Sequence, residues 1–139
     1  MIMLDNVTNK LRKKTSRLRK SIKRKLPVGG IAPADRKRAA EITERGRHEY
    51  NMGLYDLAAS FFEKALELDP RNQKALYSLA NTYYKLKKVK EAVAKWRACI
   101  KVNPQDAVAD KARRKIQHVA KLSVQLDQHL RELEEEFSD

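Results

Sequence analysis

One cysteine, one tryptophan, four glycines and four prolines are all that 139 residues contain of those four types. Each scarcity excludes something. Cys99 has no partner in the chain, so an intramolecular disulfide framework is excluded. No apolar run approaches the roughly 20 residues of a membrane-spanning helix. The apolar start Met1-Ile2-Met3-Leu4 meets Asp5 at once, so no secretory signal core is expected. His48, His118 and His129 have no Asp, Glu or Cys cluster at metal-ligand spacing. Gly29-Gly30 lie in PVGGIAPAD, residues 27–35, which has the composition of a linker and not of a phosphate loop. No catalytic constellation emerges, and no enzyme activity, metal or cofactor is expected.

Acidic residues are missing locally. Residues 1–38 carry 13 basic and 2 acidic residues, whereas residues 127–139 carry 1 basic and 6 acidic. Formal net charge is +13. The chain thus reads as a basic arm over 1–26, a linker over 27–35, a near-balanced middle over 36–104, and a long segment over 105–139 that ends acidic.

The middle repeats itself with an offset of 34. Pro70 and Pro104, Ala58 and Ala92, Tyr50 and Tyr84, Phe62 and Trp96, Ala65 and Cys99, and Leu68 and Val102 all fall in register. Size and polarity recur more than identity does. Within the second unit, Leu76, Leu79, Ala80, Tyr83 and Tyr84 recur at helical spacing. A turn follows at Lys87-Lys88, then a second stripe of Ala92, Val93, Trp96, Cys99 and Ile100, stopped by Asn103-Pro104. In the first unit, Gly53 supplies the turn and Asp69-Pro70 the stop. Two helices per 34 residues is the signature of a helical solenoid.

GLYDLAASFFEKALELDP, residues 53–70, and KALYSLANTYYKLKKVKEAVAKWRACIKVNP, residues 74–104, resemble the tetratricopeptide repeat. Leu76, Leu79, Ala80 and Tyr83 fill the first-helix slots of that family. Ala58, Phe62, Ala65 and Pro70, then Ala92, Trp96, Cys99 and Pro104, fill those of the second helix. Arg45 and Glu49 depart from the pattern, where Leu and an aromatic are usual, while Ile42 and Gly46 fit it. The resemblance covers residues 36–104. It implies an all-α fold, a short right-handed solenoid of two helix-turn-helix repeats; the residues outside it add the expectation of a long C-terminal helix and a basic amphipathic N-terminal helix.

The resemblance also implies a site. First helices of stacked pairs line a concave face. On it fall Lys74, Tyr77, Ser78, Asn81, Tyr84 and Lys85 from the second unit, and Thr43, Glu44, Arg47, Tyr50 and Asn51 from the first, with Lys111 and Lys115 as an extension. Such positions hold extended peptides or helices in proteins similar to this family. Asn, Lys and Arg donate to carbonyls or carboxylates, and Tyr gives rigid amphipathic area. The expected ligand is an acidic or C-terminal peptide segment; the other reading is a solvated face, or a groove filled by the chain's own arm. Cys99 is expected to be a packing residue.

Residues 107–137 contain no Gly or Pro. Ala109, Ala112, Ile116, Val119, Ser123, Leu126, Leu130, Leu133 and Phe137 follow 3-4 spacing, a heptad seam over four repeats. Asp106 is the expected N-cap. The first half of this helix should seal the second repeat. The second half either folds back or offers Leu126, Leu130, Leu133 and Phe137 to a partner helix, from a second copy or another protein.

The arm carries Lys10, Arg12, Lys13, Lys14, Arg17, Arg19, Lys20, Lys23, Arg24 and Lys25 with no acid between residues 9 and 25. Leu4, Val7, Leu11, Leu18, Ile22 and Leu26 add a narrow apolar stripe. A protein partner, including the acidic segment 127–139 of another copy, would take both stripe and charge. An anionic membrane also takes both. Nucleic acid, ribosomal RNA included, takes the charge but leaves the stripe unexplained. A mitochondrial presequence shares the composition. The resulting expectation is a cytoplasmic, non-catalytic adaptor, peripheral to a membrane or a larger assembly through its arm. The competing expectation is a basic accessory protein of a nucleic-acid or ribosomal particle.

Overall fold

The computed structural model describes residues 9–10, 12–13 and 30–138. Among the described residues from 30 onward, five helices follow one another: α1 (Pro33–Asn51), α2 (Tyr55–Leu68), α3 (Gln73–Lys85), α4 (Val89–Val102) and α5 (Ala107–Phe137). No strand occurs among the described residues, so the fold is all-α. The first and last residues of α2 and α4 are offset by 34, as are the last residues of α1 and α3. Each α1·α2 and α3·α4 pair forms a hairpin, α2 packs on α3, and α4 packs on α5. Lighter contacts join α1 to α3 and α3 to α5, which places these three side by side.

The turns explain the register. Gly53 has φ +79° and Lys87 φ +65°, and the two positions are 34 apart. A left-handed residue closes each hairpin at the same point, and the second repeat accepts a lysine where the first uses glycine. Asn72 caps α3, its Oδ1 accepting from the Ala75 amide at 3.0 Å. Asp106 occupies the N-cap of α5 with an extended backbone, but its side chain makes no capping hydrogen bond. The first helix starts at Pro33, inside the segment expected to be linker, because proline suits the first turn, where its missing N–H costs nothing.

Small residues sit where helices cross and large ones fill the spaces between. Ala39, Ala65 and Ala75 form one buried cluster, Ala58, Ala59, Phe62 and Leu79 a second, and Leu76, Ala80, Ala92, Trp96, Cys99 and Ala112 a third. At Gly46, a Cβ would stand 2.6 Å from Cε1 of Phe62, so α1 and α2 approach too closely for alanine. Cys99 is fully buried, its thiol 3.6 Å from the Gln73 carbonyl, and burial pushes its pKa up to about 11. The thiol therefore stays neutral and acts as a packing group.

α5 is one unbroken helix of 31 residues. Ala109 and Ala112 are buried, and Ile116 and Val119 are the last residues packed against the core. From residue 120 to 138 every side chain but Leu133 is exposed. The fold-back expected as one outcome for this half is not what the helix does: it runs straight past the repeats.

Of the basic arm, Lys10, Arg12 and Lys13 are helical and exposed. Lys14, Arg17, Arg19, Lys20, Lys23, Arg24 and Lys25 lie outside the described residues.

Candidate peptide-binding groove

Three parallel-running first helices present their side chains to one recess of about 290 Å³. α1 contributes Arg47, Tyr50 and Asn51. α3 contributes Lys74, Tyr77, Ser78 and Asn81. α5 contributes Val108 and Lys111, and Phe62 of α2 forms part of the floor. The sequence register explains the convergence. Tyr77 and Lys111 are 34 apart, as are Lys74 and Val108, so α5 stands where a third repeat would put its first helix.

Six of the eight residues expected in the groove therefore meet there: Arg47, Tyr50, Asn51, Lys74, Tyr77 and Asn81. Tyr84 and Lys85 do not line it. Tyr84 lies one turn beyond Asn81 and packs its ring against Trp96, centroids 5.9 Å apart, while Lys85 is exposed in the last turn of α3. Thr43, expected on the concave face, is buried, and its hydroxyl donates to the Ala39 carbonyl at 2.7 Å. Ser78 and Lys111 line the recess; Lys115 is exposed and outside its lining. Phe62 and Val108 are the two lining residues that sequence reasoning did not place at the site. The signal for Val108 was present, since Lys74 falls 34 residues before it.

The electrostatics are built around one carboxylate. Glu44 accepts from Lys74 Nζ at 2.7 Å and pairs with Arg47 Nη1 at 3.2 Å. The Lys74 hydrogen bond foremost, then the neighbouring positive charges, hold the Glu44 carboxyl below its usual range. Lys111 makes no ion pair among the described residues. The rim is thus cationic, with two of its three cations already facing one acid.

Asn81 is oriented from behind. The Trp96 indole N–H donates to Asn81 Oδ1 at 3.1 Å, so the amide oxygen is committed to the core side and the amide NH2 is left as the donor. Tyr50 meets Tyr55 edge-on at 5.2 Å, and burial raises the pKa of its hydroxyl. The tyrosine pair Tyr50 and Tyr77 gives the recess flat walls that lose little entropy on contact. The histidines His48, His118 and His129 are exposed, and no group of metal-ligating side chains occurs among the described residues.

Residues 51–116 match the family described as tetratricopeptide repeat. Over that stretch, just under half of the chain, the paired helices are similar to tetratricopeptide repeats. Sperm-associated antigen 1 of Mus musculus is 38% identical over 73 residues, covering 52% of this chain but 8% of that protein. Among solved structures, the Arabidopsis OM64 TPR domain has a TM-score of 0.53 at 24% identity, over 58% of this chain and 66% of that one. The first TPR of Spaghetti (RPAP3) has a TM-score of 0.52 at 24% identity, over 61% and 72%. Its second TPR has 0.52 at 19%, over 70% and 94%. Both Spaghetti domains are bound to the HSP90 peptide SRMEEVD. These likenesses are of fold.

Proposed function

We propose that this chain is a non-catalytic interaction module whose tetratricopeptide groove clamps an acidic peptide segment of a partner protein. The observation that carries the reading is the convergence of Arg47, Lys74 and Lys111 with the amides of Asn51 and Asn81 on one recess walled by Tyr50 and Tyr77. Guanidinium, ammonium and amide donors in one cleft suit carboxylates and peptide carbonyls. Tyrosine faces suit the aliphatic parts of the same peptide. The peptide held by the two Spaghetti domains, SRMEEVD, has three acids in seven residues. Glu44, already seated against Lys74 and Arg47, marks where a ligand carboxylate would bind, and a peptide carboxylate displaces it there.

The test is a titration of full-length protein with fluorescent SRMEEVD and with its amide counterpart SRMQQVN. The acidic peptide should bind at least tenfold more tightly, and Lys111→Glu should remove most of that difference. Lys111 is exposed and makes no ion pair among the described residues, so folding should be unaffected. Equal affinity for the two peptides would sink the proposal.

A further inference from the structure

The second half of α5 is an amphipathic face that the repeats leave uncovered. Leu126 is 59%, Leu130 48% and Phe137 84% exposed, and Leu122 and Leu133 continue the stripe. At 100° per residue, Leu122, Leu126, Leu130, Leu133 and Phe137 fall within one narrow seam. Acids border it: Asp127 and Glu134 on one side, Glu136 on the other, with Glu132 and Glu135 beyond. Between residues 126 and 137 the only cation is Arg131, apart from His129. Pairing of such a seam with a copy of itself is disfavoured, because two such faces would set net-negative rims together. It fits an apolar stripe with basic borders.

The chain contains that segment. Residues 4–26 carry Leu4, Val7, Leu11, Leu18, Ile22 and Leu26 at helical spacing, bordered by Lys10, Lys14 and Arg17 on one side and Arg19 on the other. As a helix this segment would measure roughly 35 Å, against roughly 27 Å for the seam from Val119 to Phe137. We infer that the basic arm of a second copy docks on the acidic-bordered seam of α5, so that two copies exchange arms.

Exchange between copies follows from where the arm enters. α1 contacts α2 and α3 but not α5, so α3 stands between them. Crossing two helix spacings takes about 16–20 Å. The seven steps of chain from Leu26 to Pro33 span at most about 25 Å fully extended. The crossing takes most of that reach, and the seam opens some 18 Å along α5 from that helix's start. Reciprocal exchange closes a two-fold dimer. It also gives the arm's stripe the cover that pure charge attraction does not supply.

Light scattering on full-length protein tests this with two variants. The seam variant is Leu126→Asp with Leu130→Asp. The arm variant is Leu11→Asp, Leu18→Asp and Ile22→Asp. Both substituted seam positions, Leu126 and Leu130, are solvent-exposed, and Trp96 fluorescence with helical circular dichroism verifies that each variant folds. Wild type should be a dimer that weakens as salt rises from about 0.1 to about 1 M. Each variant alone should be a monomer. An equimolar mixture should regain the dimer mass, because the seam variant's arm still fits the arm variant's seam. A wild type that stays monomeric at high concentration overturns the proposal. So does an arm variant that stays dimeric, which would mean the seams pair with each other. A mixture that stays monomeric overturns it as well.

Discussion

Asn81 serves the core with its oxygen and the groove with its nitrogen, and two substitutions separate these roles. Asn81→Ala removes the acceptor 3.1 Å from the Trp96 indole nitrogen, and Trp96 is only 1% exposed. A buried donor left without a partner costs about 1–3 kcal/mol. The groove lies directly in front of the vacated space, so a water can enter and meet the indole. That places the loss in the lower part of the range, about 1–2 kcal/mol. For a folded unit of this size the melting temperature should fall by about 5–10 °C. Asn81→Asp keeps an oxygen facing the indole, and stability should stay within about 1 kcal/mol of wild type. It replaces the groove-side donor with a negative charge beside Arg47, Lys74 and Lys111. Affinity for an acidic peptide should then drop at least tenfold, or about 1.4 kcal/mol. Urea unfolding followed through Trp96, the chain's single tryptophan, reads the first effect. Fluorescence anisotropy of a labelled acidic peptide reads the second. If Asn81→Ala unfolds like wild type, the indole is not held by this amide. If Asn81→Asp binds the peptide undiminished, the amide nitrogen does not face the ligand.

Other substitutions probe the same geometry. Glu44→Gln removes an exposed carboxylate whose ion pairs are worth only about 0.2–1 kcal/mol, so stability should hardly change. Acidic-peptide affinity should rise about two- to fivefold by the same reckoning; an unchanged value would place the peptide away from Lys74. Gly46→Ala gains about 1 kcal/mol of helix propensity, but its Cβ would meet the fully buried Phe62 ring at 2.6 Å. Overpacking of about 1–3 kcal/mol should outweigh that gain and lower the urea midpoint, whereas a higher midpoint would contradict the close crossing. Cys99 and Tyr83 set an alkaline limit. Burial pushes Cys99 up to about 11, and burial with the Glu63 hydrogen bond pushes Tyr83 up to about 12. Above about pH 9 the unfolded chain sheds a thiol proton that the folded chain keeps, and from about pH 10 a phenol proton as well. Stability should fall as pH rises through that window, and Cys99→Ala should flatten its lower part. A pH-independent urea midpoint between 8 and 11 would refute the assignment.

The repeats were legible because their spacing preserves volume. Phe62 and Trp96, or Ala65 and Cys99, differ in identity but fill equivalent positions, and all four are buried. The groove was legible as far as helix register reaches, which is why Arg47, Asn51, Lys74 and Asn81 could be placed together. Register fails where a residue faces two neighbours. Helix register puts Thr43 on the concave face, yet α1 packs on both α2 and α3, Thr43 is buried, and the Ala39 carbonyl accepts from its hydroxyl. Polarity does not signal exposure for a side chain that can bond back to its own helix. The Glu44–Lys74 pair, 30 residues apart, depends on how two helices lie side by side, and no local pattern announces it. Tyr84 shares the repeat period with Tyr50, but its ring packs against Trp96 and does not line the recess.

α5 shows where the solenoid's requirements end. Its Ala109 repeats Ala75 at an offset of 34, both fully buried, and its Lys111 and Val108 complete the groove. It stands where the first helix of a third repeat would, and no second helix follows it among the described residues. The family match stops at residue 116, at the turn where Ile116 and Val119 make the helix's final contacts with the core. Closing the core and the groove thus takes about four turns, and α5 runs on for about five more. An exposed helical extension gains little from propensity alone, since helices of that length are marginal in water without a packed face. The extension nevertheless keeps a regular leucine stripe over all of those turns. Solvated helices have no use for such regularity. It is the pattern expected when a second helix supplies the contact that the missing half-repeat does not.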